Sequence, residues 1–167
     1  MLILTIISLL MILSYIIIIC IKNNGIPIHI SQSYYILQHK FWFSFTMIAL
    51  TFMLIPPLLS ITPSNLQFLS FFTGASIGFI GVTPNFLEEF EGKIHEIAAC
   101  IAILCSQLLI ILLNPIILST WIIYIVGIFI YMFVRKNNNF YKTNPLFWIE
   151  VISFFNIYIL IFLGLFL

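Results

Sequence analysis

Three histidines, five glutamates, three cysteines and a scatter of serines are the side chains of this sequence equipped for acid–base, nucleophilic or metal chemistry; it has no aspartate. They are grouped. His29, Ser31, Ser33 and His39 lie between Lys22 and Lys40, and Glu88, Glu89, Glu91, Lys93, His95 and Glu96 form a second cluster. If a helix begins early in that second cluster, Glu88, Glu91 and His95 share one face at i, i+3 and i+7. A carboxylate one turn before a histidine can set its tautomer, raise its basicity or join it on a metal ion. His29, His39 and His95 offer three imidazoles to a zinc ion, with a glutamate as base. Neither H-E-x-x-H nor H-x-x-x-H occurs, so no local spacing demands a metal. The plainer expectation is no cofactor, and a histidine at a helix entrance paired with a nearby acid.

Glu150 stands apart, inside an apolar stretch. An ionisable group within a membrane span is costly and marks a functional site by default, although a glutamate can also fix helix register by snorkelling or pairing. Its expected partners are Lys93, His95 or Arg135, with Asn156 and Gln107 extending a sparse polar track. Cys20, Cys100 and Cys105 form no C-x-x-C pair and are expected to be small buried hydrophobes rather than a disulfide or a redox centre.

The segments that must position these groups are apolar. Of 167 residues, 63% are hydrophobic and 7% are charged, with a net charge of +1. A soluble domain carries about 25% charged residues. So short a chain has no way to hide this much apolar surface from water, and it has no basic surface for nucleic acid. A spanning helix needs about 20 apolar residues. Six runs qualify or come close: 2–21, 41–61, 66–82, 94–113, 116–134 and 145–167. The runs are continuous rather than alternating, which excludes a membrane β-barrel and selects helices, whose backbone bonds close within each segment. The fold class is therefore all-α, a single polytopic bundle of six transmembrane helices filling residues 1–167. The first run is read as an uncleaved span, since it lacks a basic leader and is too long for a signal's apolar core. Pro56-Pro57 should break the end of the second run. Asn144 and Pro145 suit the N-cap and first turn of the sixth.

Six spans place loops 22–40, 83–93 and 135–144 on one side and the short connections at 62–65 and 114–115 on the other. Every Lys, Arg, Glu and His falls in or beside the first set. By the positive-inside rule that side is cytoplasmic, in a bacterial inner membrane, and both termini lie outside. Small residues recur every four positions at Ser70, Gly74 and Gly78 and again at Ala98, Ala102 and Ser106. Such stripes let helices approach closely. Occurring on consecutive helices, they favour internal packing over a homo-oligomer built on Gly74 and Gly78.

The loop between the first two spans is itself greasy and carries Tyr34, Tyr35 and, at its end, Trp42, residues suited to the headgroup zone. Ile26, Ile28 and Ile30 alternate with Pro27, His29 and Ser31, the pattern of an extended stretch. The loop serves either as a surface anchor or as the lining of an interfacial pocket. In the second case the expected ligand-binding set is Ser33, His39, Glu91, His95 and Glu150, and the partner is a membrane lipid. Binding or handling of a lipid or amphiphile is then the expected function. A metal-dependent membrane lipid hydrolase and a non-catalytic accessory subunit are the alternatives, and whether the chain is an enzyme stays open.

His29-Ile-Ser31-Gln-Ser33 after the first span, Gly81-Val-Thr-Pro84 after the third, and His95 ahead of Ala98-Ala99 give a layout that resembles bacterial six-helix proteins related to the DRAM and Sfk-like membrane families. The resemblance implies a role in lipid or membrane-protein handling and both termini in the cytoplasm, the reverse of the charge-based orientation. Those proteins carry an acidic residue near the serine of the first loop, where this chain has Gln32. A more distant likeness, through Ser33, His39 and His95, is to ceramidase and progestin-receptor-like hydrolases that use serine, histidine and aspartate around zinc. The missing aspartate and seventh helix depart from that pattern.

Overall fold

The computed structural model describes residues 1–134 and 143–166. Its described residues are helical, with no strand. In chain order they form α1 (Leu2–Lys22), a 3₁₀ turn (Ile30–Gln32), α2 (Ser33–Ile36), α3 (Phe41–Ile61), a 3₁₀ turn (Ser64–Leu66), α4 (Gln67–Val82), α5 (Glu89–Leu113), a 3₁₀ turn (Pro115–Leu118), α6 (Ser119–Val134) and α7 (Pro145–Phe166). Among the described residues six segments are long and apolar enough to cross a bilayer, and the protein is an integral membrane helical bundle. The expected spans are all present. Two edges moved for a physical reason: α5 starts at Glu89, five residues before the apolar run, because acidic residues favour the first turn of a helix. The fifth span opens with one 3₁₀ turn after Asn114-Pro115.

Pro56-Pro57 does not break α3, which continues to Ile61. Each proline removes one backbone bond, but its φ fits a helix, and non-helical backbone facing hydrocarbon would leave more groups unpaired. The stretch around Ile26–Ser31 is likewise not a continuous strand. His29 is extended, but Ile30–Gln32 turns and Ser33–Ile36 makes one helical turn, with Ile28 N–H donating to Gln32 Oε1 at 2.8 Å. That side-chain bond supplies the turn with an acceptor the backbone pattern did not reveal.

Helices α1, α3, α4, α5 and α7 enclose the core, in which Ile19, Phe43, Leu50, Leu54, Leu58, Ile110 and Ile161 are fully buried. The stripe on α4 faces α3. A methyl group added at Gly74 would lie 2.1 Å from Ile55, and one at Gly81 would lie 2.9 Å from the Met47 side chain and 3.3 Å from Ile48 N. Ser70 joins the same seam by a 2.8 Å hydrogen bond between its hydroxyl and that of Thr62. The α5 stripe is buried too, at Ala98, Ala102 and Ser106. Helix α6 is different: most of its large apolar side chains are exposed, and its ties to the bundle are polar. Trp121 Nε1–H donates to Gln107 Oε1 (2.9 Å) and Thr120 Oγ–H to Asn156 Oδ1 (2.8 Å), and these two acceptors are themselves joined across α7 and α5 by Asn156 Nδ2–H donating to Gln107 Oε1 (3.3 Å). The cysteines are unpaired, and none is fully buried: Cys100 is exposed, because its helix face is turned outward.

Candidate functional site

Three chain segments far apart in sequence meet at the loop end of the bundle. The first is the turn at Ile30–Ser31. The second is α5, which brings His95, buried at 6% exposure. The third is α7, which brings Glu150 in its second turn. Ser31 Oγ lies 2.8 Å from His95 Nε2, and His95 Nδ1 lies 2.8 Å from the Thr83 carbonyl oxygen. A carbonyl only accepts, so Nδ1 carries the proton and donates; in the neutral ring Nε2 is then bare, and the Ser31 hydroxyl donates to it. The imidazole is held in place by Phe43, stacked at 6.2 Å, and Phe86 at 5.5 Å. Glu150 Oε2 accepts the Ile30 N–H at 2.5 Å, which fixes the residue next to Ser31.

Loop 83–88 closes the site from the side. Gly92 lets it fold back, since a Cβ there would sit 2.5 Å from the Phe86 carbonyl oxygen. Glu91 Oε2 accepts the Asn85 N–H at 3.1 Å, and the Tyr35 hydroxyl donates to Asn85 Oδ1 at 2.8 Å. His29 packs edge-on against Phe86 with ring centroids 4.9 Å apart. Burial, and then the neighbouring His95, hold His29 below the usual histidine pKa.

Below Ser31 and Glu150 a narrow cleft of about 50 Å³ enters the bundle between α3, α4, α5 and α7. Its walls run from Ala99 to Ser106 on α5 and from Glu150 to Ile157 on α7. That is two helical turns, about 10 Å at 1.5 Å per residue. Apart from Ser31, Ser106, Glu150 and Ser153, its lining is apolar. The Ser153 hydroxyl is buried without a hydrogen-bond partner among the described residues.

The five expected ligand residues are therefore divided. His95 and Glu150 belong to this site. Ser33 does not face it: its hydroxyl is buried and bonded to the Tyr15 hydroxyl at 2.6 Å. His39 is exposed on a separate groove with Tyr15, Lys22 and Trp42. Glu91 serves the backbone of loop 83–88. The carboxylate expected to orient His95 is replaced by a backbone carbonyl, because Glu91 turns to Asn85 and Glu88 precedes the helix. Glu150 meets a backbone N–H rather than Lys93, which pairs with Glu89 at 2.7 Å on the surface, or His95; Arg135 lies outside the described residues. Nor does Asn144 cap α7 with its side chain. It takes the left-handed conformation (φ 51°) and donates to the Ile26 carbonyl at 2.7 Å, tying α7 to the first loop. Among the described residues no three His, Cys, Asp or Glu side chains gather in a way that could hold a metal ion. Sequence reasoning named Ser31 only as one of several loop hydroxyls; no signal separated it from Ser33.

Compared with known protein families, curated proteins and solved structures, the chain matches none.

Proposed function

We propose that the protein binds a lipid or lipid-like amphiphile, with the polar end at Ser31, His95 and Glu150 and the apolar chain in the cleft beneath them. The observation that carries this reading is the cleft's asymmetry. Glu150 and the Ser31–His95 pair stand at its loop end, and the part that descends into the membrane is mostly apolar, with Ala102, Ile103, Phe154 and Ile157 beside the two hydroxyls of Ser106 and Ser153. A bilayer lipid has that same division along its length. At about 50 Å³ the resting cleft holds only a few waters. A chain enters by displacing Ile103 and Phe154, which are half-buried at its wall. The membrane is a bacterial inner membrane, with loops 22–40 and 83–93 in the cytoplasm.

Native mass spectrometry of the purified protein tests the reading. The wild type retains a lipid, and Ala102→Phe, which fills the cleft, releases it. No retained lipid, or equal retention by both proteins, would overturn the proposal.

A further inference from the structure

Nothing in simple ligand binding requires a serine hydroxyl donating to a bare histidine nitrogen whose other nitrogen is tied down. Acyl transfer does require it. A hydroxyl becomes a nucleophile when a base accepts its proton as the new bond forms, and the base must be oriented by a third group. Here the third group is the Thr83 carbonyl, and the 2.8 Å Ser31–His95 contact lies within the working range of such a pair. Ser31 also lines the cleft, at the end where a ligand's polar group would rest.

We infer that Ser31 and His95 are a nucleophile–base pair acting on an acyl ester of a lipid-like amphiphile, an inference that rests on the binding reading above. Ser31 Oγ forms a bond to the ester's acyl carbon as its proton passes to His95 Nε2. The tetrahedral adduct collapses, the bond from acyl carbon to alcohol oxygen breaks, and the leaving alcohol takes the proton from His95. Water then enters from the loop face, gives a proton to His95, attacks the acyl carbon and releases a carboxylic acid; His95 returns the proton to Ser31. No oxidant, reductant or metal is needed. Glu150 is a positioning residue: it holds Ile30 N–H and so sets where Ser31 points.

The test is a long-chain alkyl fluorophosphonate applied to the full-length protein in micelles, with the adduct located by mass spectrometry. The expected result is modification of Ser31, slowed at least ~100-fold in His95→Gln, the low end of what a general base contributes. Ser64→Ala, at the opposite end of the bundle, keeps the wild-type rate. Glu150→Gln, which retains an acceptor for Ile30 N–H, keeps most of the labelling that Glu150→Ala loses. A wild-type protein that retains lipid but gains no adduct at Ser31 overturns the nucleophile and leaves the binding reading standing. That measurement needs no variant to fold. Labelling of Ser31 at the same rate in His95→Gln overturns the pair. Labelling at Ser31 in a protein that retains no lipid overturns the binding reading alone.

Discussion

His29 shows how one ring couples the site to pH. Its pKa is depressed by burial and by His95, so the unfolded chain takes up a proton more readily than the folded one. Its contribution to stability is therefore complete above the unfolded value of about 6.5 and is lost as pH falls through and below it. The thermal midpoint in detergent should fall between pH 7.5 and pH 5.5, and His29→Gln should flatten that slope. An unchanged slope would remove His29 from the account. A second residue-scale expectation concerns Asn156, fully buried and bonded to both Thr120 and Gln107. Asn156→Leu should cost about 0.6 kcal/mol for each interhelical hydrogen bond lost, the average for such bonds between membrane helices, read by reversible unfolding in mixed micelles. The sequence displays His95 and Glu150 openly, because charge inside an apolar run is conspicuous. It conceals their partners. Ser31 and Ser33 are two residues apart in the same loop, and only the turn at Ile30–Gln32 decides that Ser31 meets His95 while Ser33 meets Tyr15. The groups that orient Glu150 and His95 are a backbone N–H and a backbone carbonyl, which every residue has and no motif marks.

Among the elements, the six spans were legible to within a few residues because hydrocarbon imposes both length and continuity on a helix. The charged turn of α5 lay outside the apolar run, since hydropathy starts a span at its first apolar residue and helices start at caps; the sequence offered its early start only as a condition for a shared Glu88–Glu91–His95 face. Where the small stripes pack was also hidden: spacing reveals that a face is small, never which neighbour it meets. The bundle makes unequal demands on its glycines. A Cβ at Gly81 would lie 2.9 Å from the Met47 Cβ of α3, whereas Gly127 on α6 has nothing within 4 Å of an added Cβ. Gly81→Leu should therefore lower the thermal midpoint or abolish assembly. Gly127→Ala should be neutral or raise stability by up to about 1 kcal/mol through helix propensity. If both substitutions are tolerated alike, the α3–α4 seam is not where it is placed here.

For the molecule as a whole, the informative feature is that its described charged and imidazole side chains sit at one end of an apolar bundle. Among the described residues the opposite end carries no charged side chain. Single cysteines placed at Asn24 and Leu87 in a variant lacking Cys20, Cys100 and Cys105 should react with an impermeant maleimide from the same side. One at Ser64 should react from the other. Labelling of Ser64 together with Asn24 would refute the six-span arrangement. The same polarity gives the binding proposal its direction: an amphiphile would lie along the bundle with its head toward the charged end.

The bond between Ile30 and Glu150 joins positions 120 residues apart. During synthesis at about 5–20 residues per second, the first loop must wait on the order of 6–24 s for the acid that holds it. Ser31 and His95 are both made well before then, so the pocket is completed only when the final helix arrives. Translation intermediates halted before residue 150 should leave loop 22–40 open to protease, and intermediates with α7 inserted should protect it. The last helix thus acts as a timing device for the whole molecule, leaving the first loop unanchored in an unfinished chain.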